Sequence, residues 1–140
     1  MIRYCALVAP LLLALPALAQ TCSSALPEGR QIESERYSLG FRTHPAKIEA
    51  GRHFSVEIAV CPKESGAGPI SVRVDAHMPE HRHGMNYEAS VRRAATTEAS
   101  AVGRYHAEGL MFHMPGRWEF VFDLRSDGKT DRLTQSVQLE

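Results

Sequence analysis

The sequence predicts an all-β fold, an immunoglobulin-like β-sandwich of about seven strands. Three observations predict it. Apolar residues recur with period two in run after run, turn residues separate the runs, and no window longer than a turn or two carries helical periodicity.

In chain order, Tyr37, Leu39 and Phe41 alternate with polar or small residues. Phe54, Val56, Ile58 and Val60 do the same against Ser55, Glu57 and Ala59. Ile70, Val72, Val74 and Ala76 face one way, and Ser71, Arg73, Asp75 and His77 the other. Further on, Leu110 and Phe112 are expected to point inward. Trp118, Phe120, Phe122 and Leu124 form the heaviest apolar row, opposite Glu119, Val121 and Asp123, and a last strand covers 133–139. Glu49-Ala50-Gly51, Ser65-Gly66-Ala67-Gly68-Pro69, Pro115-Gly116 and Ser126-Asp127-Gly128 read as the turns between them. The one helical candidate, 88–100, contains Thr96-Thr97, whose β-branched side chains are stiff in a helix. No internal repeat and no low-complexity tract is visible.

The N-terminus reads as a secretory signal peptide over 1–19. Met1-Ile2-Arg3 supplies the positive start, CALVAPLLLALPALA is almost wholly apolar, and Ala17-Leu18-Ala19 is a small-x-small cleavage pattern. A retained membrane span would need about 20 apolar residues, and Pro10 and Pro16 break a run that is shorter than that. A lipid anchor on Cys22 is disfavoured by Gln20 and Thr21, which are larger and more polar than such a cleavage site uses. The expected location is therefore the periplasm or the medium. Residues 20–35 read as a loosely ordered lead-in and 36–140 as one sandwich domain.

The full chain has 16 basic and 16 acidic residues, and the leader removes Arg3. The remaining charges are balanced and mixed, which argues against nucleic acid or an anionic membrane surface as partner. Of three cysteines, Cys5 leaves with the leader. Cys22 and Cys61 remain in an oxidising compartment and are expected to form a disulfide. A thiolate metal pair is the weaker alternative, because the two lie far apart and neither sits in a CxxC.

Two segments could carry chemistry. DAHMPEHRHGMNYE (75–88) places His77, His81, His83, Met78 and Met85 at and beyond a strand end, where Pro79 and Gly84 forbid regular structure. GLMFHMPGRW (109–118) adds Met111, His113 and Met114. If Leu110 and Phe112 point inward, Met111 and His113 share the opposite face. Imidazole suits zinc, copper, iron and nickel, whereas thioether is useful mainly to copper. A mixed His/Met set with no free thiolate therefore points to a copper ion, with His81, His83, Met85, His113, His77 and Met111 as the candidate ligands. Asp75 and Glu80 are available to orient a ring nitrogen from behind. The plain alternative is that exposed loop histidines are ordinary and that Met78, Met111 and Met114 fill gaps in the core. His44, His53 and His106 have no partners in sequence and read as surface residues. No nucleophile elbow and no HExxH is present, so the chain does not read as an enzyme.

The motifs MPEHRHGMNY and GRYHAEGLMFHMPGRWEF resemble the YtkA-like family, small exported or membrane-tethered β-sandwich domains also grouped with FixH-like proteins. The resemblance rests on Met78-Pro79, His83-Gly84-Met85, Gly103-x-Tyr105 and Met114-Pro115-Gly116-x-Trp118-Glu119, and it covers 54–124. It implies an immunoglobulin-like fold and an association with copper handling and cytochrome oxidase assembly. It carries over His83 and Met85 as ligands, and the Met-Pro and Gly-x-Trp units as fold determinants. His77, His81 and His113 are additions of this sequence.

Two functions are thus expected in competition. One is an exported copper carrier or buffer that exchanges the ion with an envelope protein. The other is a β-sandwich interaction module of the cell envelope that binds no metal. The distance between His83 and His113 bears most directly on the choice.

Overall fold

The computed structural model describes residues 22–65, 70–95 and 102–140. The leader expected at 1–19, most of the glycine-rich turn at 66–69 and the Thr96-Thr97 pair lie outside the described residues. A four-residue helix α1 (Cys22–Ala25) precedes nine strands among the described residues: β1 (Arg30–Glu33), β2 (Tyr37–His44), β3 (His53–Pro62), β4 (Ser71–Met78), β5 (His83–Gly84), β6 (Ser90–Arg93), β7 (Gly103–Met111), β8 (Gly116–Ser126) and β9 (Lys129–Leu139). Two antiparallel sheets form, β1-β2-β3-β7-β6 and β5-β4-β8-β9, and pack as an all-β sandwich. No helix among the described residues is long and apolar enough to cross a membrane.

The period-two rows become the core. Leu39, Phe41, Val56, Ile58, Val74, Ala76, Trp118, Phe120, Phe122 and Leu124 are buried between the sheets. Rings carry much of the packing: Phe41 contacts Phe120 and Phe122, and Phe54 meets Phe112 edge-on. Tyr105 donates from its hydroxyl to the Ile70 carbonyl at 2.6 Å, which links β7 of one sheet to the entry of β4 in the other. Gly103 leaves room for that ring, since a Cβ there would stand 2.9 Å from it. The β8–β9 hairpin turns on Asp127 and Gly128, both with positive φ, as a tight two-residue connection requires.

Two features differ from the sequence reading. Nine strands rather than about seven are present among the described residues, because β1, β5 and β6 have only four, two and four residues and are too short to show a period. The lead-in, expected to be loosely ordered, is structured from Cys22 onward. β1 pairs with β2, and α1 lies on the outer face of the larger sheet, burying Cys22, Ala25 and Leu26 with Ala59, Cys61 and Val102. The Cys22–Cys61 disulfide is formed, with Cα atoms 5.7 Å apart.

Strand β7 carries an irregularity that sets up the site. Its inward residues are Gly103, Tyr105 and Ala107, then Leu110, so the alternation slips by one. The register against β3 shifts between Phe54 and Val56, and Gly109 has φ of 83°. This is a β-bulge on a glycine that tolerates the left-handed region. It turns Leu110 and Phe112 into the core and displaces Met111 and His113 from it.

On the outer face of the smaller sheet, Asp123 lies across the strands from Arg73 and Arg132. Arg132 donates to both of its carboxylate oxygens at 2.8 and 2.9 Å. These hydrogen bonds hold the Asp123 carboxyl below the usual aspartate range against the opposing effect of burial. A depressed folded-state pKa means that the stabilisation is present above the unfolded value of about 3.9 and is lost as pH falls through the folded one. Acid unfolding of Asp123→Asn, followed by circular dichroism, is therefore expected to show a shallower loss of stability below pH ~4 than the parent.

Candidate metal centre

Strand ends determine what gathers at one end of the sandwich. There β2 ends at His44, β3 starts at His53, β4 ends at Met78, β7 ends at Met111 and β8 starts at Gly116. The loops that leave these ends carry His81, His83 and His113.

The β4–β5 hairpin is built by the Met78 carbonyl accepting from the His81 amide and the Ala76 carbonyl accepting from the Met85 amide. Arg82 takes the left-handed conformation at its tip, with φ of 52°. Glu80 accepts from Arg117 of β8 at 3.2 Å, which ties the loop to the next strand. His83 lies opposite Met78 in the ladder. Residues opposite one another share a face of the sheet, so His83 takes the core-facing side at the open edge while Met78 fills the interior. Gly116 has φ of 127°, a backbone conformation that favours glycine, and a Cβ there would also displace the thioether methyl of Met78, 2.5 Å away.

His113 reaches the same place from β7. Its ring meets Trp118 edge-on at 5.2 Å and His83 edge-on at 6.1 Å between centroids. Trp118 in turn stacks on Phe112 at 4.5 Å and donates from Nε1 to the Met114 carbonyl at 3.0 Å. His113 is thus held by a fully buried aromatic pair. Its Nδ1 is buried and has no hydrogen-bond partner. His81 follows in the row, with its ring centroid 6.4 Å from that of His83.

One ion bound at ~2 Å by a nitrogen of each of two imidazoles holds their centroids about 5–6 Å apart, the larger value for a near-linear arrangement. The His83–His113 separation is of that size. Three His, Cys, Asp or Glu side chains converging on one point are not found among the described residues. A centre here would therefore rest on two imidazoles and complete itself with thioether, water or a ligand from a partner. Met85 and Met114 lie partly buried against the core.

The remaining expected ligands lie elsewhere. His77 projects from the outer face of the smaller sheet, where its Nε2 stands 3.6 Å from Glu119. One residue separates it from the core-facing side, because side chains alternate along β4. Met111 lies opposite His53 in the β3–β7 ladder. Nor do Asp75 and Glu80 support the histidines, as expected from sequence: Asp75 accepts from Arg73 and from the Ala76 amide, and Glu80 is taken by Arg117. His44 and His53 sit at the same end of the larger sheet, His44 against Glu57 at 3.4 Å and His53 edge-on to Tyr87 at 5.2 Å. Their placement comes from topology and has no local signal in sequence.

Compared with protein-family models, curated proteins and solved structures, the chain shows no match.

Proposed function

We propose that this chain is an exported copper-binding carrier or buffer that holds the ion between His83 and His113, with Met85, two residues beyond His83, as the candidate thioether. The observation that carries this reading is the buried, unpartnered Nδ1 of His113 beside a second imidazole at 6.1 Å. A buried polar nitrogen without a partner costs about 1–3 kcal/mol, and an ion shared with His83 would satisfy it. Copper is preferred to zinc because the neighbouring soft donors are thioethers. The leader and the disulfide support export, and the paired motifs support a likeness to YtkA-like domains, with the sandwich read as immunoglobulin-like. An envelope protein that donates or receives the ion is the expected partner.

Titration of the mature domain with Cu(I) and Cu(II) tests this. The expected result is one ion per chain, with affinity about a hundredfold or more weaker in a His83→Ala, His113→Ala double variant, since losing even an outer-shell partner costs 10–100-fold. Equal binding by parent and variant would sink the proposal. One observation favours the competing reading of a metal-free interaction module, namely that no three hard or imidazole donors converge among the described residues. That reading predicts intact cellular activity with alanine at His81, His83 and His113.

A further inference from the structure

His81, His83 and His113 form a row rather than a cluster. The ring of His83 lies 6.4 Å from His81 and 6.1 Å from His113, and it is the shared neighbour. Exposure is graded along the row: His81 and His83 are exposed, while His113 is half-buried with its Nδ1 closed off from solvent. His81 sits on the hairpin turn, next to Arg82 at the tip, and makes contact through its backbone amide. It is the first imidazole that an ion arriving from solvent or from another protein would meet.

We infer that His81 is an entry ligand that passes the ion inward along the row and does not belong to the resting site. This rests on the copper reading above. The ion is first held by His81 and His83. The bond from the ion to His83 is kept throughout, the bond to His113 forms, and the bond to His81 breaks. No proton or electron need be exchanged, since all three rings bind as neutral imidazoles. Because His83 bridges both pairs, the ion is never released between them, and the barrier to crossing is that of one ligand exchange. The same path serves release in reverse order, toward an acceptor protein that meets the exposed end first. A residue on the path but absent from both end states changes the two rates by one factor and leaves their ratio alone.

The test separates rate from affinity. The equilibrium affinity of the mature domain for Cu(I) is measured by competition with bicinchoninate. Release of Cu(I) is then followed by stopped-flow absorbance at bicinchoninate concentrations where the rate no longer depends on the chelator. His81→Ala is expected to keep the affinity of the parent while release slows by about tenfold, a barrier change of about 1.4 kcal/mol. His83→Ala is expected to lose affinity, and Glu80→Gln, in the same loop but without an imidazole, to change neither quantity. If His81→Ala weakens affinity as much as His83→Ala does, His81 is a resident ligand and the inference is wrong. It is equally wrong if release from His81→Ala keeps the parental rate, or if Glu80→Gln slows it as much. In each of these cases copper binding itself survives; a parent domain that holds no Cu(I) overturns both the entry path and the copper reading.

Discussion

Trp118→Ala is expected to lower the unfolding free energy by about 3–5 kcal/mol, the usual range for removing a large buried ring. Trp118 has no exposed surface, stacks flat on Phe112 and caps the Met114 carbonyl through its indole nitrogen. Alanine removes the stack, opens a cavity between the sheets and leaves that carbonyl without its donor. Since domains of this kind are stable by about 5–15 kcal/mol, the variant would give up a large share of that margin. Urea denaturation followed by far-ultraviolet circular dichroism measures the loss. Trp118→Phe, which keeps a ring but not the hydrogen bond, should recover most of it. A loss below about 1 kcal/mol for the alanine variant would mean that the ring is not the centre of the core.

The second large effect belongs to the disulfide. Cys22 and Cys61 are 39 residues apart, and on the chain-entropy model a closed loop of that length contributes about 4 kcal/mol. A Cys22→Ala, Cys61→Ala variant should therefore lose about that much, read as a lower urea midpoint with a steeper slope, because the denatured chain without the crosslink is less compact. The effect is expected to stop at stability. The disulfide pins α1 near the far end of β3, whereas the histidine row lies beyond the end where β3 begins. On the proposed copper reading, affinity measured well below the unfolding transition should be the same in both forms. A variant that folds fully and yet loses metal would show that the two ends communicate through β3.

The parts of this fold legible in sequence are those where a local pattern coincides with burial. The rows Phe54 to Val60 and Trp118 to Leu124 alternate because one face of each strand is in the core, and Asp127-Gly128 marks a hairpin because few other pairs accept that backbone. β1 and β6 are edge strands of four residues, and β5 an edge strand of two; at that length no period exists to be read. The bulge at Gly109 was legible only through its result, the inward placement of Leu110 and Phe112, since a glycine alone does not announce a slip in register. For the candidate site, the two motifs pointed to the loops that meet. What they could not supply was parity. His77 and His83 stand six residues apart in one histidine-rich stretch, yet the first faces Glu119 on the outer side and the second faces inward beside His113. The hairpin between them, closed by the His81 and Met85 amides on the Met78 and Ala76 carbonyls, decides this.

The edge contact between His113 and Trp118 has a practical consequence. The chain contains one tryptophan and four tyrosines, so emission excited at wavelengths beyond tyrosine absorption comes from a single indole in contact with the half-buried histidine. Whatever occupies that imidazole, a proton, a diamagnetic ion or a paramagnetic one that quenches, alters one fluorophore against no background from another. The domain carries its own optical gauge at the place where the chemistry is in question, and a titration can be read without a label.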